Sequence, residues 1–160
     1  MNQDVFLSQP IVEVENYKLK PIDSSDLKEI EELCSYYPPE RRISATDLLE
    51  KINQEYIDKN GINWGIYLKN ELIGTIGFYR GFDKSEGELG YVLRSAHRNK
   101  GIGSICAEAI VKIGLELMEL KAIEAYTAIE NLASQKLLEK VGFKRIKHPN
   151  KKTAAYRIEV

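Results

Sequence analysis

The residue types with the most chemical potential gather in one segment, Val92-Leu93-Arg94-Ser95-Ala96-His97-Arg98-Asn99-Lys100-Gly101-Ile102-Gly103-Ser104. An apolar strand end runs into a basic turn with two glycines, and a helical apolar period follows. The first turn of a helix leaves backbone N–H groups without partners and carries the positive end of the helix dipole. Glycine lets the backbone approach an anion closely, and Arg98 and Lys100 add charge. These are the parts of a pyrophosphate cradle, and a Cβ at Gly103 is expected to crowd the anion. The plain alternative is a glycine-rich helix start that binds nothing. A P-loop needs G-x-x-x-x-G-K-[ST], which is absent. A Rossmann turn needs a third glycine where Cys106 stands, and it would follow an early strand, not the fourth strand of the chain. What remains is R-x-x-G-x-G over 98–103.

Other chemistry is sparse. Cys34 and Cys106 lie in separate segments, and His97 and His148 form no H-x-x-x-H pair, so no metal site is expected. Asn131 stands where a strand gives way to a helix, a position that favours an N-cap. Ser134 follows in the first helical turn, where a local backbone bond is the ordinary use of serine. Glu88 is a carboxylate on a strand just before Tyr91, and Glu130 competes with it as a candidate base.

Elements must hold these residues. A strand is expected over 15–22, and Asp23, Ser24 and Ser25 offer N-caps for a helix to about residue 36, which Pro38-Pro39 interrupts. A second helix runs from Ala45 to Lys59 and stops at Asn60-Gly61. Residues 62–69, 71–82 and 87–94 then form an antiparallel meander rich in Ile, Tyr, Phe and Leu, with Asn70 in a tight turn. A long helix follows from Gly103 to Met118, with Ile102, Ile105, Cys106, Ala109, Ile110, Ile113 and Leu117 at helical spacing. A strand at 122–129, a helix at 132–140 ended by Gly142, and strands at 143–148 and 153–160 complete the chain. The order implies an α/β layer: a mixed, mostly antiparallel sheet of six to seven strands with flanking helices, and a parallel pair around the long helix. One domain is expected over 1–160, with 1–14 as an extension free to move.

The segment RNKGIG, set after a strand and before a helix, resembles the acetyl-coenzyme A loop of the GNAT superfamily. Some thirty residues on, NLASQKLLEKVGF at 131–143 resembles that family's second cofactor segment. It is most similar to the branch that includes ribosomal-protein alanine N-acetyltransferases. The resemblance implies a GNAT-like fold and transfer of an acetyl group from acetyl-CoA to a primary amine, either a protein N-terminus or a small molecule, by direct attack in a ternary complex. It also implies roles. Backbone groups of Tyr91, Val92 and Leu93 would pair with the pantetheine arm, and the Tyr91 N–H would meet the thioester carbonyl. The amides of Asn99, Lys100, Gly101, Ile102, Gly103 and Ser104, with Arg98 beside them, would hold the pyrophosphate. Asn131 and Ser134 would touch the cofactor, Ser134 facing its sulfur. Many family members place a tyrosine acid four residues after that serine; Leu138 stands there, which makes Ser134 the candidate acid. The candidate catalytic residues are therefore Ser134, Glu88 and Tyr91.

Composition removes several classes. The net charge of -1 gives no bulk field for nucleic acid or an anionic membrane. No long apolar run or leader is visible, so a reduced cytoplasmic protein is expected. A homodimer is compatible with this reading. Two rival readings remain at this stage: a catalytically silent acyl-CoA-binding module acting through a partner, and a phosphate-binding module of another fold.

Overall fold

Ile, Tyr, Phe and Leu dominate the middle of the chain, and the computed structural model, which describes residues 1–160, builds its sheet there. The strands are β1 Val12–Val14, β2 Tyr17–Lys20, β3 Ile62–Leu68, β4 Glu71–Tyr79, β5 Glu86–Leu93, β6 Ala122–Ala128, β7 Lys144–Ile146 and β8 Thr153–Glu159. They form one eight-stranded sheet in the order β1-β2-β3-β4-β5-β6-β8-β7. Every neighbouring pair is antiparallel except β5–β6. The helices are α1 Leu27–Ser35, α2 Ala45–Ile57, α3 Ile102–Lys112 and α4 Leu132–Val141.

The strand count exceeds the expected six to seven because the chain folds back before residue 15. Glu15 takes a left-handed φ of 50° and turns β1 onto β2, where Val14 faces Tyr17. Residues 1–14 are not a loose extension. Val5 and Phe6 are buried in the main core. Trp64 Nε1 donates to the Pro10 carbonyl at 2.8 Å, and Tyr56 Oη donates to the Val5 carbonyl at 2.8 Å.

Helix α1 begins later than the Asp23–Ser25 caps implied. Asp23 Oδ1 instead accepts the Ser25 N–H at 2.8 Å, closing a turn, and the helix starts after Asp26. In α2 the Ser44 hydroxyl accepts the Asp47 N–H at 3.1 Å, a serine N-cap. Helix α3 runs on into a π-turn at Ile113–Leu117. The extra residue in that turn shifts the apolar stripe by one position. Gly114 and Met118 are buried, whereas Leu117, expected on the inner face, is 42% exposed. A Cβ on Gly114 would stand 2.7 Å from Phe78 Cζ and 2.8 Å from Ile123 Cδ1, so the glycine lets the turn press against β4 and β6.

Helices cover both faces. Trp64, Phe78, Cys106, Ile110 and Tyr156 belong to the larger core beneath α3 and α4. Ile30, Cys34, Leu49, Tyr67 and Leu72 fill a smaller one beneath α1 and α2. Leu89, Tyr91 and Leu93 of β5 join the larger core, which fixes that strand against α3. No helix is long and apolar enough to cross a membrane.

Candidate active site

The site originates in a short parallel ladder. Strands β5 and β6 pair only from Glu86↔Ala122 to Leu89↔Ala125. Beyond that point β5 stays with β4, Tyr91 facing Ile76 and Leu93 facing Gly74. Strand β6 stays with β8, Tyr126 facing Ala155 and Ala128 facing Thr153. The two inner edges therefore diverge, and the backbone there has no strand partner across the gap. A cleft of about 1000 Å³ opens between them, at the large end of small-molecule sites. Tyr91, Val92 and Leu93 form one wall, and Asn131 and Ser134 of α4 stand on another.

The basic loop closes one end. After Leu93 the chain makes a 3-10 turn at Ser95–His97, and Asn99 and Gly101 both take left-handed φ values, 60° and 80°. Gly101 is the N-cap of α3 and makes no side-chain cap bond. The first residues of α3 thus stand at the cleft end with no side chain capping their amides. Arg98, Asn99, Gly101, Ile102, Gly103 and Ser104 all line the cleft, whereas Lys100 lies just outside its lining. Arg98 Nε donates to the Leu93 carbonyl at 3.0 Å, and its guanidinium lies 4.5 Å over the Tyr36 ring. Gly103 also has a packing role that the sequence reading did not include. Its missing Cβ faces Leu137 Cδ1 at 2.6 Å, so this glycine lets α3 and α4 pack closely. Gly101, with nothing within 4 Å of a built Cβ, is the open position of the loop.

Two hydroxyls meet inside the cleft. Tyr91 Oη and Ser134 Oγ share a hydrogen bond that joins the β5 wall to the α4 wall. Burial pushes the Tyr91 phenol above its ordinary value, and the Ser134 bond pulls it partly back. Asn131 caps α4, its Oδ1 accepting the Ser134 N–H at 3.1 Å, which orients that serine. Leu138 is 1% exposed in the main core and offers no polar group to the cleft.

Residues 17–144 match the acetyltransferase (GNAT) domain family. The chain belongs to the GNAT acetyltransferases. A Bacillus subtilis (strain 168) relative, the uncharacterized N-acetyltransferase YoaA, is 32% identical over 148 residues, covering 85% of this chain and 84% of that one. The crystal structure of a GNAT-family acetyltransferase from Bacillus anthracis superposes with a TM-score of 0.76 at 27% identity, over 94% of this chain and 98% of that one. RimL, a ribosomal L7/L12 alpha-N-protein acetyltransferase solved with coenzyme A, shares the fold with a TM-score of 0.80 at 14% identity, over 94% of this chain and 98% of that one.

For a GNAT enzyme, two features of the site were not drawn from the sequence. The first is the Tyr91 side chain. Only its backbone had a role in the sequence reading, yet its phenol reaches Ser134. The second is Lys136 and Lys140, one helical turn apart on α4, which line the cleft and form no ion pair. Their i,i+4 spacing after Asn131 is legible in the sequence once α4 is known to face the loop. Glu88 does not line the cleft. It lies three residues before Tyr91, on the opposite face of β5. Arg80 Nη1 donates to its two oxygens at 2.9 and 3.2 Å. On β6 the Tyr126 phenol donates to Glu124 and is pushed up to about 12, chiefly by that bond. Arg94, at the end of β5, holds Glu32 of α1 and Glu71 of β4, the latter at 2.6 Å, and so ties α1 to the base of the loop. No cluster of metal-ligating side chains is present.

Proposed function

We propose that this enzyme transfers the acetyl group of acetyl-CoA to a primary amine by direct attack, with both substrates bound together. The observation that carries the reading is the diverging β5–β6 cleft with the uncapped amides of α3 at its end. The coenzyme A found with the RimL fold neighbour supports it. The backbone of Tyr91, Val92 and Leu93 would bind the pantetheine arm as an added strand. The amides from Asn99 to Ser104 would hold the pyrophosphate, with Arg98, Lys100, Lys136 and Lys140 supplying unpaired positive charge around it. Asn131 orients Ser134 toward the same cleft.

The chemical roles follow from position. The Tyr91 N–H would donate to the acyl oxygen as negative charge grows there, an oxyanion-type contact. Ser134 Oγ would donate to the sulfur as it leaves. An alkyl ammonium has no lone pair, so the amine must lose a proton before attack. Glu88 is the proposed acceptor of that proton, through water, and Arg80 must share it. The acceptor is a protein N-terminus or a small-molecule amine.

Two measurements test the reading. Acetyl-CoA at 100 times Kd should stabilise the fold by about 2.7 kcal/mol, roughly 5–11 °C in Tm for a chain of this size. Thiol release should appear with at least one of spermidine, an alkylamine or an Ala- or Ser-initiated tetrapeptide. Stabilisation by ATP or NAD in place of acetyl-CoA would overturn the cofactor assignment. Binding of acetyl-CoA with no turnover on any amine would make the chain an acyl-CoA-binding module.

A further inference from the structure

Acetyl transfer needs a proton for the departing thiolate, and α4 presents no carboxyl or phenol to the cleft: its one carboxylate, Glu139, accepts from Tyr156 outside the lining. Leu138 is buried, and Ser134 carries an alkyl hydroxyl, which is a very weak acid. Of the side chains lining the cleft, the ionisable ones are Tyr91, Arg98, Tyr126, Lys136 and Lys140. Arg98 is held by the Leu93 carbonyl and the Tyr36 ring. Tyr126 is committed to Glu124. Lys136 and Lys140 are exposed on the outer turns of α4. Tyr91 remains, and its hydroxyl has one partner, Ser134 Oγ.

We propose that the Tyr91 phenol is the proton source for the leaving thiolate, acting through Ser134. The inference rests on the acetyl-transfer reading and deepens it. As the thioester C–S bond breaks, its electron pair goes to sulfur. Sulfur takes the hydroxyl proton of Ser134, and Ser134 Oγ takes the phenolic proton of Tyr91 in the same movement. The first proton of the ammonium has already gone to Glu88 before attack; the phenolate left behind is neutralised by the second, which the nitrogen loses as the amide forms, carried by solvent in the cleft. One proton has then moved from nitrogen to sulfur, and both side chains are restored. A phenol is several orders of magnitude more acidic than an alkyl alcohol, so the pair donates more readily than Ser134 alone. A phenol is protonated at neutral pH; burial holds its proton more firmly, and the Ser134 bond offsets part of that.

The decisive experiment places 3-fluorotyrosine at position 91 and follows its ¹⁹F resonance through a pH titration of the full-length enzyme. Coenzyme A should move both the resonance and its titration midpoint, and desulfo-coenzyme A, identical but for the sulfur, should not. Ser134→Ala should erase the difference. In turnover with whichever probe amine reacts, Tyr91→Phe should lower kcat about 100-fold with the KM for acetyl-CoA within twofold. The Tyr91→Phe/Ser134→Ala double variant should fall no further than the slower single one, as members of one relay do. Fluorination, which makes the phenol more acidic, should move the alkaline limb of the kcat profile to lower pH. A resonance indifferent to the sulfur, or a kcat unchanged in Tyr91→Phe, overturns the relay and leaves acetyl transfer standing. Failure of coenzyme A to bind at all overturns both.

Discussion

Gly103→Ala separates two jobs that a glycine in this loop could have. The added Cβ would stand 2.6 Å from Leu137 Cδ1 and 3.8 Å from Leu93 Cδ1, the first well inside contact distance. What must give is the end of a leucine side chain or the α3–α4 spacing. Overpacking of that kind costs about 1–3 kcal/mol, and each kcal/mol moves Tm by about 2–4 °C at this chain length. Trimming the neighbour removes the conflict. Gly103→Ala/Leu137→Ala should therefore be more stable than the sum of the single variants by about 1 kcal/mol or more, the signature of residues in contact. Gly101→Ala behaves differently. Nothing lies within 4 Å of its Cβ, and its φ is +80°, so the cost is backbone strain of roughly 1–2 kcal/mol with no coupling to Leu137. Gly101→Asn should recover part of that loss, because asparagine tolerates the left-handed region. Thermal melts give the stabilities, and acetyl-CoA titrations give Kd. Gly103→Ala is expected to lower Tm and leave Kd within about threefold once folded. If it keeps the parental Tm and raises Kd tenfold or more, the anion approaches the Gly103 α-carbon and the packing argument fails.

Two further predictions follow from charge. Glu88→Gln should lower kcat at neutral pH by about 100-fold if Glu88 accepts the ammonium proton, and a change under about threefold would return it to a plain surface ion pair with Arg80. The second concerns acid stability. The Arg94 guanidinium holds Glu32, and the Arg157 guanidinium holds Glu86, below the ordinary carboxyl value of 4.5. With folded values depressed, the unfolded chain binds more protons in that window. The contribution is fully present above 4.5 and is lost as pH falls through the lower folded values. Melting temperatures measured downward from pH 4.5 should fall, and Arg157→Met should make that slope shallower. A slope identical to the parent's would show that the Glu86 pair adds nothing.

Local patterning carried the element order well. The Ile- and Tyr-rich runs at 62–69 and 71–82 became β3 and β4, and Gly142 closes α4 with a φ of 109°. Period-based reasoning failed where backbone geometry departs from a fixed repeat. The π-turn at 113–117 moved Leu117 outward, because a stripe drawn at 3.6 residues per turn cannot anticipate an inserted residue. Residues 1–14 were expected to be free to move because their anchors, Trp64 and Tyr56, lie more than fifty positions away in sequence. The strand–loop–helix context made the phosphate loop visible. The Tyr91 phenol was not visible, since its partner sits 43 residues on and the meeting depends on how far two strands diverge.

That dependence has a consequence for the chemistry. One hydroxyl rides on β5 and the other on α4, so their hydrogen bond measures the width of the cleft. Four paired residues of the parallel ladder set where divergence begins. Gly103 sets how closely α3 packs on α4, and Gly114 sets how closely the π-turn presses on β4 and β6. Where a side chain added at either glycine moves a wall, and not only the end of a neighbouring side chain, a shift of about 1 Å is enough to break a hydrogen bond and to cost on the order of 100-fold in rate. Helix packing at Gly103 and Gly114 is therefore coupled to the proton path through the positions of the two walls.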